Sequence, residues 1–229
     1  MKKKIFNATH IAGKLYSHTL ELKTSGANSK NPGTVYIAGT VDLATDDLLT
    51  NIVSVHYTYV TANTSSGKPD SRFPILKGII DGTYKSVTAN GKDVASMFTI
   101  DSAIGLNEFY SSRTGTEELV SVKRNEGGFI RVASELDADE SKRATFDTDI
   151  ILYNVKRIES DEEKDIREHV VLSGYIMDFR KAFLPVEYNV YSPAAMDYYE
   201  SLEASKNNPV FTRIKGIQKS EIIVRRVEE

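Results

Sequence analysis

The sequence predicts a mainly β chain, folded as two tandem Greek-key barrels with short helices. Three observations carry this reading. Apolar and polar residues alternate at every second position in most segments with a clear period, the mark of a strand with one buried face. A strand with a central glycine occurs twice, at Gly39 and Gly174, each time followed by a polar loop and an alternating strand. Each of those second strands leads to a Pro-containing helical segment, at Pro74 and Pro193. A unit of strand, strand and helix is thus present twice, as a duplication would leave it. A β-sandwich is the competing architecture.

Taken in order, residues 9–22 read as the first strand and 24–33 as a loop rich in Ser, Asn and Gly. Residues 34–42, Thr-Val-Tyr-Ile-Ala-Gly-Thr-Val-Asp, form the first glycine-centred strand. Glycine inside a strand costs backbone entropy and packs nothing, so it marks a bulge, a bend or a close backbone approach. In 51–60, Val53, Val55, Tyr57 and Tyr59 are expected on one face and Ser54, His56 and Thr58 on the other. A polar loop at 61–72 precedes a weak helix signal at 74–80. Strands follow at 96–105, 118–124 and 128–133 and, after a charged loop at 137–143, at 145–158. Residues 159–168 are the most linker-like stretch and read equally well as a long hairpin loop. After strands at 169–179 and 184–191 comes the best-signalled helix: Ser192 suits its cap, Pro193 its first turn, and Ala195, Tyr198, Tyr199 and Leu202 recur at helical spacing. A loop at 205–208 and a strand at 210–217 complete the series.

The central glycines have a physical explanation in a small barrel. Closing about five strands into a cylinder makes one strand bend sharply enough to pair with both halves, and a glycine or bulge permits that bend. The order strand, strand, helix, strand in the second half fits the five-stranded OB-type barrel. The pattern of an apolar residue, any residue and Gly also recurs at Gly13, Gly78 and Gly216, so its count alone is weak. Two OB-like domains, 1–144 and 145–229, are expected, the boundary falling somewhere between 135 and 168.

Composition narrows the function. The 229 residues include no cysteine, which excludes disulfides, thiolate metal sites and cysteine nucleophiles and fits a reducing cytosol. The basic start, Met-Lys-Lys-Lys-Ile-Phe, lacks the apolar core of a signal peptide, and no apolar run approaches the roughly 20 residues of a membrane span. A cytoplasmic protein without membrane association is expected. Net charge is −3, with acidic residues gathered at 42–47, 135–140 and 159–168. Those runs read as solvated loops and leave room for a local basic groove.

Catalytic signatures are missing. His10, His18, His56 and His169 are scattered without metal-ligand spacing, and no nucleophile elbow, dinucleotide fingerprint or phosphate loop occurs. No enzyme activity, metal or cofactor is therefore expected. Binding is better supported. Phe211, Arg213 and Lys215 fall on one face of the last strand. Phe129 and Arg131 share a face and follow Lys123 and Arg124, while Tyr175 and Phe179 precede Arg180 and Lys181. Rings that stack on bases, interleaved with cations that follow the phosphates, are what sequence-tolerant single-strand binding requires. A strand aromatic is more often a packing residue, and strand cations often protect edges, so the reading depends on the barrel beneath them.

The residues Ile104-Gly-Leu-Asn-Glu-Phe-Tyr110, Gly127-Gly-Phe-Ile130, Val171-Leu-Ser-Gly-Tyr-Ile-Met-Asp-Phe179, Pro193-Ala-Ala-Met-Asp-Tyr-Tyr199 and Phe211-Thr-Arg-Ile-Lys-Gly-Ile217 give the chain a resemblance to the single-stranded-DNA-binding proteins of bacteriophages, strongest over residues 96–220. The resemblance implies a non-catalytic OB-fold protein in the host cytoplasm that coats single strands during phage DNA replication, recombination or repair. Lys123, Arg124, Phe129, Arg131, Tyr175, Phe179, Arg180, Lys181, Phe211, Arg213 and Lys215 would line its groove. Phage or host replication and recombination proteins, and a second copy of the chain, are the protein partners it leaves open. Many members end in an acidic tail, whereas this sequence ends in Arg225-Arg-Val-Glu-Glu229. The alternative is a phage structural or assembly β-barrel that contacts only protein.

Overall fold

A computed structural model describes residues 5–111, 118–178 and 180–220. Ten strands and three helices follow in the order β1 (Asn7–His18), β2 (Glu21–Thr24), β3 (Val35–Ala44), β4 (Ile52–Thr61), α1 (Arg72–Ile80), α2 (Val87–Asn90), β5 (Met97–Ser111), β6 (Glu118–Ala133), β7 (Ala144–Ile158), β8 (His169–Met177), β9 (Phe183–Val190), α3 (Pro193–Ser201) and β10 (Val210–Ile217). The chain divides into two compact units. One takes residues 8–146 and returns for 216 onward; the other takes 147–215 together with the segment up to Asn7.

The first is a closed barrel unit. Its strands pair in the cycle β1, β3, β4, β6, β5 and back to β1, antiparallel throughout except where β6 runs parallel to β4 at Val55 and Asn125. With α1 inserted between β4 and β5, this is the OB strand order. Inward residues fill the interior: Ile11 and Leu15 of β1, Ile37, Val41 and Leu43 of β3, Val55 of β4, and Phe98 and Ile100 of β5, with Leu76 and Ile79 of α1 packed on them. The alternation seen in the sequence is what delivers one buried row per strand.

Gly39 sits where the barrel bends. The β3–β4 register shifts between Ile37 and Gly39, and Gly39 adopts φ +135°, a region side chains rarely enter. A Cβ there would lie 2.3 Å from Thr19 O and 2.7 Å from Leu20 Cα. The chain leaving β1 crosses β3 at this point: the Thr19 N–H donates to Thr40 O (2.9 Å) and the Thr40 N–H to Thr19 Oγ1 (3.0 Å).

Residues 216–220 complete the barrel unit from the far end of the chain. The Gln218 N–H donates to Ala144 O (2.8 Å), Asn51 Nδ2 to Gln218 O (3.0 Å), Asn125 Nδ2 to Gln218 Oε1 (3.0 Å) and the Ser220 N–H to Asn51 Oδ1 (2.8 Å). Asn125 is 8% exposed, so its amide needs these partners.

The other unit has the order β10, β7, β8, β9, with α3 between β9 and β10: the first four strands and the helix of the same plan. Ile150, Leu152, Val170, Leu172, Ile176, Leu184, Val186, Met196 and Ile214 are buried in it. A Cβ on Gly174 would lie 2.5 Å from Ile150 Cδ1 and 2.6 Å from Ile151 O, opposite a bulge between Leu152 and Asn154. Residues 159–168 are a hairpin connection carrying a bridge between Asp161 and Ile166. Arg157 fastens α3 to β7 through Glu200 (2.9 and 2.6 Å) and also reaches Glu168 (2.5 Å).

Several sequence expectations need correction. Residues 118–124 and 128–133 belong to one strand, β6, folded over a Gly-Gly bulge. The first strand stops at His18, and β2 is a separate four-residue strand. The Gly78 match lies in α1, where the glycine makes room for the Tyr84 ring, so it has no part in bending a sheet. Among the described residues, no helix is long and apolar enough to cross a membrane.

Candidate nucleic-acid interface

In the four-strand unit the sequence-predicted residues Tyr175, Phe211, Arg213 and Lys215 all point outward. Ile214 of β10 is buried and Phe211, Arg213 and Lys215 on either side of it are exposed. On β7 the row Asp147, Asp149, Ile151 faces the same way. Arg213 bonds Asp147 at one end of that row, and Tyr175 pairs with Ile151 at the other. Four residues of strand span about 13 Å, so Arg213 and Tyr175 share one surface. Tyr175 also packs on Tyr153, ring centroids 5.1 Å apart and tilted 37°. Phe183, across from Met177, is 56% exposed beyond it.

Arg180 and Lys181 occupy the β8–β9 turn. Asp178 closes it by accepting from the Arg180 and Ala182 N–H groups, both at 2.8 Å, and Lys181 takes φ +67°. Phe179 lies outside the described residues.

The cations of β10 are not bare. Arg213 grips Asp147 through Nε to Oδ1 (2.5 Å) and Nη2 to Oδ2 (2.7 Å), and Lys215 Nζ stands 3.3 Å from the same carboxylate. Hydrogen bonding from Arg213 and, less, from Lys215 holds the Asp147 carboxyl below the usual range. Phe6 comes from the other end of the sequence. Its N–H donates to Asp149 Oδ2 (2.9 Å), its carbonyl accepts from the Asp149 N–H (2.8 Å), and its ring lies 4.1 Å from the Arg213 guanidinium carbon.

In the barrel unit the four candidates on β6 fall into two pairs. Gly127 and Gly128, at φ +63° and +113°, form a bulge opposite Ser102 that shifts the register from Asp101/Phe129 to Ala103/Glu126. On one side Phe129 is 64% exposed, while Arg131 binds Asp101 (2.7 Å), which also bonds His10 Nδ1 (2.7 Å). On the other side Lys123 and Arg124 border a cavity of about 280 Å³ with His56, Gln218 and Lys219. Arg124 bonds Glu126 (2.9 Å). Burial and the Arg124 charge push the His56 imidazole below its usual range, which favours its neutral form.

The same unit carries rings that the sequence pattern misassigned. Tyr57 and Tyr59 were expected on one face, but Tyr57 is buried in the core and Tyr59 is 46% exposed. The bulge that accommodates Gly39 places both Thr58 and Tyr59 outside, against Ala38, and alternation breaks there. Tyr59 stacks on Tyr36 with centroids 4.5 Å apart and lines a groove of about 660 Å³ with Val35, Asn31, Asn63 and Arg72. Arg72 is held by Asp70 (Nε to Oδ1 2.9 Å, Nη2 to Oδ2 2.6 Å). The ring pairs Tyr36–Tyr59 and Tyr153–Tyr175, and Phe6 beneath Arg213, join residues apart in sequence; Tyr175 and Arg213 were read as site residues, but their partners Tyr153 and Phe6 were not.

Among the described residues, no group of three or more His, Asp or Glu is placed to hold a metal ion. The surfaces described above offer rings, amides and charge. Compared with known proteins, the chain matches no family model and no curated protein.

Proposed function

We propose that the protein is a non-catalytic, sequence-tolerant single-stranded-DNA-binding protein that coats strands exposed in phage DNA replication, recombination or repair. The observation that supports this most is the outward row of rings on an OB-ordered sheet: Tyr153 against Tyr175, then Phe183 and Phe211, with Arg213, Lys215, Arg180 and Lys181 among them. Each base has a π-face, so exposed rings hold a strand without reading its sequence. In the barrel unit, Tyr59 on Tyr36 offers a comparable platform beside Asn31 and Asn63.

Electrostatics set the character of the binding. Net charge is −3, and Arg131, Arg213 and Arg72 each face a carboxylate. Stacking therefore carries more of the affinity than counterion release. With about three or four cations reaching phosphates, log K falls against log salt with a slope of roughly −2 to −3.

Fluorescence anisotropy with labelled oligo-dT, repeated across salt and against duplex of equal length, tests the proposal. Binding to oligo-dT with that shallow slope and little binding to duplex is expected. Failure to bind at low salt, or equal affinity for duplex, refutes it and favours an assembly protein that contacts only protein.

A further inference from the structure

The geometry points to Arg213 as a base-stacking plate, positioned by Phe6 and Asp147, rather than as a phosphate-binding cation. This role presupposes the single-strand binding proposed above and changes what β10 contributes to it.

A guanidinium binds a phosphate through the N–H groups on its edge and stacks through its flat face. In Arg213 the Nε and Nη2 edge is already engaged side-on by both oxygens of Asp147, at 2.5 and 2.7 Å. A phosphate approaching that edge would have to displace a bidentate carboxylate. The group's lower face rests on the Phe6 ring at 4.1 Å. Phe6 is fixed by its two backbone bonds to Asp149, itself only 7% exposed. One edge and one face are thus engaged, and the side chain remains 44% exposed, which leaves the opposite face as the surface a base would stack on.

Two residues earlier on the same face stands the exposed Phe211 ring, roughly 7 Å along the strand. Ring and guanidinium are thus neighbours on one face of β10. Lys215 remains the phosphate-facing cation of this strand, its single ammonium sharing Asp147 at 3.3 Å.

The two roles predict opposite responses to Asp147→Asn. The comparison is made in a Lys215→Gln background, so that any cation released belongs to Arg213, with affinity for labelled oligo-dT read by anisotropy at several salt concentrations. If Asp147 positions a plate, D147N weakens binding about 3- to 10-fold with the salt slope unchanged. If Asp147 masks a phosphate hook, D147N tightens binding and steepens the slope by about 0.7; unchanged or tighter binding overturns the plate. Arg213→Trp gives a second, independent reading, because the chain contains no tryptophan. The indole keeps the flat surface and discards the charge, so affinity stays within about 3-fold of wild type and its fluorescence is quenched by oligo-dT. Loss of binding in R213W overturns the proposal. Wild-type protein that binds no oligo-dT refutes the single-strand reading itself, a result distinct from tight wild-type binding with a tighter D147N.

Discussion

Replacing Gly39 by alanine tests the claim that the barrel closes through this residue. Two costs add. Alanine at φ +135° enters a region that costs about 1–3 kcal/mol. Its Cβ would also meet Thr19 O at 2.3 Å and Leu20 Cα at 2.7 Å. Both are backbone atoms, which cannot rotate aside, so overpacking adds roughly another 1–3 kcal/mol. Gly33 supplies the internal control: it too has positive φ, +74°, but nothing lies within 4 Å of its Cβ. G33A therefore costs only about 1–2 kcal/mol. At roughly 2–4 °C per kcal/mol for a protein of this size, G39A lowers the melting temperature by about 5–20 °C and G33A by a few degrees. Thermal and urea denaturation followed by circular dichroism measure both. If G39A loses no more stability than G33A, the crossing of β3 by the β1–β2 corner does not constrain the barrel and the steric reasoning fails.

Tyr175→Ala and Tyr59→Ala each weaken oligo-dT binding by about 1–3 kcal/mol per lost stack, read by anisotropy, with the salt slope unchanged; a changed slope would assign these rings to something other than stacking. Arg72→Gln tests the Asp70 pair against pH. Hydrogen bonding from Arg72 holds the Asp70 carboxyl below its usual value, so this stabilisation is present above about pH 4 and is lost as pH falls through the depressed folded value. R72Q is less stable than wild type at pH 7, and the gap narrows below pH 4; a constant gap from pH 7 to 2.5 contradicts the linkage. Asn125→Ala removes the bonds to Ser54 O and Gln218 Oε1 and costs about 1–3 kcal/mol. Hydrogen exchange at residues 216–220 speeds up with it, and unchanged exchange there argues against the anchor.

The fold was legible where one face of a strand is buried, because period-two patterning then survives in the sequence. The strands read at 210–217 and 169–179 were found for that reason, the latter observed as His169–Met177, whereas the helix at Pro193 was read from its proline and helical spacing and the bend at Gly39 from a glycine inside a strand. Reading failed where the backbone departs from regular alternation. The bulge at Thr58 and Tyr59 turned a predicted core residue outward, and Gly127–Gly128 split what is one strand. The four-residue β2 is exposed throughout and carries no pattern to read. Within the candidate site, the rings and cations of β10 were visible as a row, but their electrostatics were not. Asp147 is 66 residues from Arg213, and Asp101 binds Arg131 from the neighbouring strand. Strand pairing decides such contacts, and no local spacing encodes them.

The exchange of chain ends has a consequence for synthesis. The four-strand unit needs Phe6, made before the whole of the barrel segment, and the barrel unit needs Gln218 and Ser220, made after the whole of residues 147–215. A chain emerging from the ribosome cannot finish one unit and then begin the next, as tandem domains do. The barrel waits for its last hydrogen bonds until its neighbour's strands have been translated, and a cut between Phe146 and Asp147 would leave each fragment short of a piece held by the other. Each unit is thus completed by a piece of chain lying outside its main segment.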